Sequence, residues 1–183
     1  MNYWQGKLVR LRGVEPSDAE AFFRWNLDSE TGRALEYLWP PTSLAQVRKE
    51  IEEVALQKLG GERFTWVIED RAGLPVGQLT THTCNQRDGT FSYGFSVAAE
   101  HRRKGYAAEA VLLVVKYYFE ELRYQKVTVS IHGDNAGSVA LHEKLGFRRE
   151  GTLRQMFYTR GGYQDMLYYG LTREEWQSSP LKF

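Results

Sequence analysis

The chain has 183 residues, of which 42% are hydrophobic and 26% are charged, which is enough for one well-buried domain and short for two. Its 24 basic and 23 acidic residues leave a formal net charge of +1, which excludes a strong overall attraction to nucleic acid or an anionic membrane. Cys84 is the single cysteine, which excludes an internal disulfide framework and a cysteine-rich zinc site. Because we find no secretory leader and no apolar run of membrane-spanning length, we expect one cytoplasmic domain over residues 1–183.

The N-terminal third predicts a strand followed by two helices. Residues 7–12 alternate basic and apolar side chains, which is typical of a half-buried strand. Pro16 lies close to the cap of a helix whose buried side carries Phe22. Residues 28–41 contain one glycine, two prolines and little periodicity, so we expect a loop there and a second helix from about residue 43 to 59.

Three strands then follow as an antiparallel meander. Residues 63–69 alternate cleanly and turn through 70–73 into a second strand over 75–83. A polar turn at 85–89 leads into a third strand over 90–97, which has aromatic side chains on one face at period two. This third strand leads directly into a cluster of basic residues.

The basic cluster at residues 102–104 runs into Gly105 and then into an amphipathic helix over about 108–122, with Glu109 and Lys116 on its polar side. A glycine-bearing turn at a helix N-terminus presents N–H groups without intrahelical partners at the positive end of the helix dipole. Such a turn suits phosphate, and the three cations add charge-assisted donors. The competing interpretation is a basic loop that merely precedes a core helix.

The C-terminal part predicts a strand, a helix and a closing hairpin. Residues 126–131 are β-branched and arrive after a helical crossover, so we expect them to run parallel to the strand before that crossover. Asn135 predicts the N-terminal cap of the next helix, and Gly146 predicts its end. Residues 147–158 and 163–171 predict the two strands of the hairpin.

Two separated motifs resemble the GCN5-related N-acetyltransferases (GNAT). Residues 102–107, Arg-Arg-Lys-Gly-Tyr-Ala, are similar to the family signature Gln/Arg-x-x-Gly-x-Gly/Ala, whose turn binds the pyrophosphate of acetyl-CoA. Residues 135–154, with 162–176 after them, resemble the branch typified by ribosomal-protein N-terminal acetyltransferases and the related spermidine acetyltransferases. The likeness covers nearly the whole chain. It implies an α+β (α/β) fold with a mixed, mostly antiparallel sheet of six to seven strands, a splayed parallel pair and about four helices.

The resemblance also implies where acetyl-CoA binds. The turn would take its diphosphate, and the preceding strand would hydrogen-bond its pantetheine arm. The cofactor-contacting residues that the resemblance implies are Phe95, Ser96, Val97, Arg102, Arg103, Lys104, Gly105, Tyr106, Ala107, Ala108, Asn135 and Ser138. For Asn135, a helix cap with no further role is the competing interpretation.

Acetyl transfer needs an uncharged amine, a donor for the oxyanion and a proton for the leaving sulfur. A backbone N–H at or beside Val97 would serve the oxyanion. By family analogy Ser138 would supply the proton, with His142 as the second candidate, although a surface position on its helix is the competing interpretation of His142. Where relatives carry carboxylates this chain has Ser92 and Phe157, so no side chain stands out as the base.

The acceptor pocket that the resemblance implies is aromatic and acidic. Its candidate residues are Glu36, Tyr37, Tyr93, Tyr163 and Asp165, for each of which an ordinary packed aromatic or solvated acid is the alternative. Acting through water, Tyr93, Glu36 or Asp165 could serve as the base. The four histidines offer no metal-ligand spacing, so we expect no metal.

The chemistry of the amine favours one class of acceptor. Freeing the lone pair of an alkylammonium costs about 4 kcal/mol at neutral pH, whereas an α-amino group costs only ~1 kcal/mol. We therefore expect acetylation of a protein or peptide N-terminus by direct attack in a ternary complex. A polyamine or aminoglycoside acetyltransferase and a non-catalytic acyl-CoA-binding module are the alternatives. We expect no nucleic-acid or membrane partner, and the aromatic C-terminal hairpin could pair two copies.

Overall fold

The computed structural model describes residues 2–35, 37–57 and 62–180. Seven strands form one sheet in the order β1-β2-β3-β4-β5-β7-β6. The strands are β1 (Val9–Gly13), β2 (Thr65–Asp70), β3 (Pro75–Asn85), β4 (Thr90–Val97), β5 (Lys126–His132), β6 (Arg148–Thr159) and β7 (Gly162–Thr172). The α-helices in this part of the chain are α1 (Ala19–Asn26), α2 (Ser29–Leu35), α3 (Leu44–Ala55), α4 (Tyr106–Glu120), α5 (Ala136–Lys144) and α6 (Arg173–Ser178).

The sheet confirms the predicted fold class. β4 and β5 are parallel, with Thr90 opposite Lys126 and Phe91 opposite Val127, and α4 supplies the crossover that a parallel pair requires. β1 with β2, β2 with β3, β5 with β7, and β6 with β7 are antiparallel. The described residues form six α-helices rather than about four, because they include two short elements of seven and six residues, α2 and α6.

The contacts divide the chain into two compact units, and a single domain over residues 1–183 stays a prediction. The first unit comprises Met1–Thr81 and Gly94–Val111. Val9 and Leu11 of β1 are buried, as their alternation predicts, and Phe22 of α1 packs in a cluster with Val47 and Ile51 of α3. This apolar cluster fixes α1 and α3 against the start of the sheet.

The expectation of a loop over residues 28–41 is wrong for its first half, where α2 forms. Asp28 begins the helix, because its Oδ1 accepts the N–H of Glu30 (3.1 Å) and its backbone oxygen accepts the N–H of Gly32 (3.0 Å). No residue of α2 is buried. A helix without a buried face leaves no apolar period in the sequence, which is why the pattern missed it.

The second unit comprises His82–Tyr93 and Leu112–Phe183 and has an aromatic core. Phe91 of β4 stacks on Tyr118 of α4 with ring centroids 4.0 Å apart. The predicted end of α5 is confirmed, since Gly146 has φ +89° and the N–H of Phe147 donates to the carbonyl of His142 (2.9 Å). Within the described ranges, no helix combines the length and the apolar character needed to span a membrane.

Candidate active site

The basic turn of the first unit has left-handed backbone at two positions. After a short 3-10 turn (Ala99–His101), Arg103 has φ 62° and Gly105 has φ +85°. Glycine adopts this conformation freely, whereas a residue with a Cβ is strained by about 1 kcal/mol or more. Turns of this kind form the concave backbone sites in which anions bind. The strain at Arg103 is the type of backbone feature that clusters at functional positions.

The N-terminus of α4 has N–H groups for which the described residues supply no acceptor. The first intrahelical bond runs from the N–H of Glu109 to the carbonyl of Gly105 (3.1 Å), so Gly105 is the residue at the cap. Glycine has no side chain with which to cap the helix. Among the described residues, no acceptor is recorded for the N–H groups of Tyr106, Ala107 and Ala108. The positive end of the α4 dipole is therefore open to an anionic ligand.

The three cations of the turn have different surroundings. Arg103 and Lys104 are exposed, and the Nζ of Lys104 lies 3.5 Å from the Nδ1 of His101. Arg102 instead turns back into its own unit, where its Nε donates to the carbonyl of Val97 (3.1 Å) and its guanidinium pairs with Asp28 (3.2 Å). All three cations are exposed, but Arg102 has an ion pair within its unit, whereas Arg103 and Lys104 make none with the described residues.

Glu109 holds the turn from behind. Its carboxylate accepts the N–H groups of Lys7 (2.8 Å), Leu8 (2.6 Å) and Val9 (2.7 Å), and its side chain is buried. A Cβ placed on Gly105 would lie 3.0 Å from the Cδ1 of Leu8, so the segment that Glu109 anchors packs directly on the turn. The expectation that Glu109 lies on a polar, solvated face is wrong. Its partners lie about a hundred residues away, where no local pattern could reveal them.

The end of β4 packs tightly against β3. Ser96 and Val97 are buried, Phe95 is half-buried, and the N–H of Ala98 donates to the carbonyl of Val76 (2.9 Å). A Cβ on Gly77 would lie 2.2 Å from the carbonyl oxygen of Ser96, so only glycine fits there. This packing fixes the backbone that leads into the basic turn. The predicted contacts of residues 95–97 with pantetheine stay predictions.

The first unit thus fits the diphosphate of acetyl-CoA at the turn. The fit rests on three observations: three N–H groups have no recorded protein acceptor, a left-handed glycine has no side chain there, and two exposed cations flank it. Glu109, whose carboxylate could repel an anion, directs that carboxylate to the N–H groups of residues 7–9. The roles of the individual residues 102–108 stay predictions.

In the second unit, Asn135 and Ser138 lie together at the start of α5. The Oδ1 of Asn135 accepts the N–H of Ser138 (3.0 Å), which confirms the predicted helix cap. The hydroxyl of Ser138 lies 3.3 Å from the Nδ1 of His142, one turn further along the helix. Asn135, Ser138 and His142 therefore share one helix face.

The protonation of His142 follows from its partners. Its Nδ1 lies 2.8 Å from the carbonyl oxygen of Ser138, which can only accept, so Nδ1 carries the proton. The ring therefore cannot accept the hydroxyl proton of Ser138 through Nδ1, and that proton is available for donation elsewhere. Burial lowers the pKa of His142, against a smaller opposing effect of the Ser138 carbonyl, so the imidazole is neutral near pH 7.

His142 is a core residue, and the surface interpretation of it is wrong. The side chain is 2% exposed, stacks on Tyr93 (centroids 5.9 Å apart) and meets the edge of Phe147 (5.0 Å). Tyr93 is buried as well, and this burial raises the pKa of its hydroxyl well above the ordinary value. Tyr93 therefore stays protonated at neutral pH and is a poor candidate for the base.

The remaining acceptor candidates have unequal surroundings. Tyr37 of the first unit is exposed and meets the edge of Trp39 (6.1 Å), whereas Glu36 lies outside the described residues. Tyr163 of the second unit is also exposed. Asp165 is half-buried, and its Oδ1 accepts the N–H of Gln155 (2.9 Å), a left-handed residue in a bulge of β6. A bulge with this contact gives no sequence signal.

The positions that lack the carboxylates of other relatives have structural roles. Phe157 is buried and stacks on His132 with ring centroids 3.8 Å apart, and Ser92 is half-buried in β4. An acid at the Phe157 position would place a carboxylate against the buried ring of His132 in place of this stack.

Comparison with known proteins decides the family. The model of the family described as "Acetyltransferase (GNAT) domain" matches residues 9–148. This chain belongs to the GNAT family. As a GNAT enzyme it is an N-acetyltransferase, and acetyl-CoA is its acetyl donor. The uncharacterized N-acetyltransferase YokL, derived from the SPbeta prophage of Bacillus subtilis (strain 168), is 37% identical over 97% of this chain and 97% of its own.

Other GNAT relatives are named for different acceptors. YdaF of Bacillus subtilis (strain 168), named provisionally as a ribosomal N-acetyltransferase, is 32% identical over 92% of this chain and 93% of its own. The solved spermidine N-acetyltransferase from Vibrio cholerae, in complex with CoA and spermine, superimposes with a TM-score of 0.82 at 21% identity, covering 94% and 99% of the two chains. RimL, a ribosomal L7/L12 α-N-protein acetyltransferase solved with coenzyme A, gives 0.80 at 18%, covering 91% and 95%. These two likenesses show a shared fold.

Proposed function

We propose that this GNAT enzyme acetylates the α-amino group at the N-terminus of a protein or peptide, by direct attack within a ternary complex. The observation that carries the proposal is that three carboxylates of the described residues, Asp28, Glu30 and Asp165, each have a protein partner. Asp165 accepts the N–H of Gln155 (2.9 Å), Glu30 lies 3.9 Å from the guanidinium of Arg33, and Asp28 pairs with Arg102. A polyamine carries several ammonium groups that carboxylates without internal partners would bind, whereas a peptide N-terminus presents a single α-amino group.

The residues implied for acid–base work support the same class of acceptor. Tyr93 stays protonated at neutral pH, and Asp165 already accepts the N–H of Gln155, so neither stands out as the base. An α-amino group costs only about 1 kcal/mol to deprotonate at neutral pH, so it asks little of a base. Membership of the branch of ribosomal-protein N-terminal acetyltransferases is part of this proposal.

We assign catalytic and binding roles to residues at the start of α4 and at the start of α5. The open N–H groups at the start of α4, with Arg103 and Lys104, would hold the diphosphate of acetyl-CoA, which supplies a thioester-activated acetyl group. Ser138 would donate its hydroxyl proton to the leaving sulfur, since the Nδ1–H of His142 leaves that proton available. A backbone N–H at or beside Val97 would stabilise the oxyanion.

A panel of amines assayed for CoA release tests the proposal. It contains peptides with free N-termini, the same peptides blocked at the N-terminus but carrying one lysine, spermidine and an aminoglycoside. We expect release with the free peptides and mass-spectrometric addition of acetyl at the first residue, with little release from their blocked counterparts. Preferred turnover of spermidine or the aminoglycoside would establish a small-molecule enzyme instead.

Binding of CoA without release of thiol from any amine would favour the acyl-CoA-binding module. A homodimer through the C-terminal hairpin, the absence of nucleic-acid and membrane partners, and a cytoplasmic location stay predictions.

A further inference from the structure

Arg102 makes contacts that distinguish it from its two cationic neighbours. Its Nε donates to the carbonyl of Val97 at the end of β4 (3.1 Å), and its Nη2 donates to Asp28 Oδ2 (3.2 Å) and to the hydroxyl of Thr31. These three hydrogen bonds use the Nε and Nη2 groups of the guanidinium. The side chain is 44% exposed, so it is held by these contacts rather than by burial.

The residues that Arg102 contacts organise the start of α2. Asp28 accepts the N–H of Glu30 (3.1 Å) and the hydroxyl of Thr31, and its own carbonyl accepts the N–H of Gly32 (3.0 Å). Since no residue of α2 is buried, apolar packing contributes little to its position. A charged donor bound to both Asp28 and Thr31 therefore has a large share in fixing the first turn of this helix.

We propose that Arg102 is a positioning residue for the acceptor, and that its side chain does not bind the cofactor phosphates. It fixes the first turn of α2 to the end of β4, while Arg103 and Lys104, exposed beside the open N–H groups, supply the phosphate-binding charge. The inference rests on the proposed function in one respect: α2 leads into the exposed Tyr37, which we propose contacts the acceptor.

Two arginine variants with the same chemical change separate the roles. Arg102→Gln and Arg103→Gln each remove one positive charge from adjacent positions of the turn. In calorimetric titration with coenzyme A, we expect Arg103→Gln to weaken binding about tenfold and to flatten its dependence on salt. Arg102→Gln should change the affinity by less than about twofold, because its guanidinium is already used within the protein.

Hydrogen exchange reports the positioning role without any turnover. We expect the amides at the C-terminal end of α2 to exchange about fivefold faster in Arg102→Gln than in the native protein, and to be unaffected in Arg103→Gln. Asp28→Asn should reproduce the faster exchange, and adding it to Arg102→Gln should give little further change, since both disrupt one network. Arg102→Lys should recover only part of the protection, because lysine lacks the planar fork.

Steady-state kinetics are then measured with the amine that the substrate panel identifies. Arg102→Gln should raise KM for that amine several-fold with KM for acetyl-CoA unchanged, and Arg103→Gln should do the reverse. Equal loss of coenzyme A affinity in both variants, or unchanged exchange of α2 in Arg102→Gln, would overturn the inference. If no amine is acetylated the proposed function fails, and the titration and exchange results still decide whether Arg102 positions α2.

Discussion

The first turns of α4 and α5 have the same dipole direction but different cap residues. At α4 the cap position is Gly105, and the structure records no protein acceptor for the next three N–H groups. At α5 the cap is Asn135, whose Oδ1 accepts the N–H of Ser138 (3.0 Å). Both helices present a positive dipole end. The cap residue therefore decides the fate of the third N–H group of each helix, which the protein uses at α5 and which stays open at α4 among the described residues.

Their surroundings extend this contrast. The α4 turn carries exposed cations and a left-handed backbone, which suits a charged ligand. The α5 turn continues into the buried, neutral His142, which orients the hydroxyl of Ser138 rather than attracting charge. In the function we propose, the start of α4 binds the cofactor and the start of α5 presents a proton donor. Four variants or conditions test this division, from the largest expected effect to the smallest.

Giving α4 a carboxylate at its cap should abolish the difference between the two turns. Gly105→Asp places an acceptor and a negative charge beside the open N–H groups, so we expect calorimetric affinity for acetyl-CoA to fall by at least about 100-fold. Gly146→Asp is the matched control, because Gly146 has a similar left-handed backbone (φ +89°) with open space around it. Equal loss in both variants would attribute the effect to backbone strain.

Removing the hydroxyl that we propose as the proton donor should lower the rate of the chemical step and leave cofactor binding unchanged. Ser138→Ala is expected to lower kcat on the order of 100-fold, with the dissociation constant of acetyl-CoA within about twofold of the native value. Ser138→Thr keeps a hydroxyl and should retain most of the turnover. Undiminished kcat in the alanine variant would assign the proton to another group.

The buried imidazole should make stability depend on pH. Because burial lowers the pKa of His142, the unfolded chain binds a proton more readily as the pH falls below about 6.5. The free energy of unfolding, measured with urea, should therefore be fully retained above that pH and fall below it, by at most about 1.4 kcal/mol per pH unit. His142→Gln should remove this component; parallel pH profiles for the two proteins would contradict it.

The smallest effect is expected from the cap of α5. Asn135→Ala leaves the N–H of Ser138 without its side-chain acceptor and should lower the free energy of unfolding by about 1 kcal/mol in urea titration. Asn135→Asp keeps an oxygen at that place and should be nearly neutral. If Asn135 also contacts acetyl-CoA, the alanine variant will bind acetyl-CoA more weakly in calorimetry. The start of α5 would then share the cofactor-binding role of the start of α4.

Local patterns determined the elements that lead to these turns. The alternation of β2, β3 and β4, the apolar period of α4, the cap at Asn135 and the closure at Gly146 all depend on neighbours within a few residues. The cation-glycine turn and the family resemblance followed from contiguous residues in the same way. The sequence pattern did not predict α2, because a helix with no buried face has no apolar period.

Only the tertiary structure decided which side chains of these motifs are used internally. Glu109 binds the N–H groups of residues 7–9, Arg102 binds Asp28 across more than seventy residues, and His142 is buried beside Tyr93. A sequence by itself determines backbone preference and charge, because these act over one or two turns of chain. The partner of a charged or polar side chain is set by the fold, since it belongs to whatever distant segment packing brings within hydrogen-bonding distance.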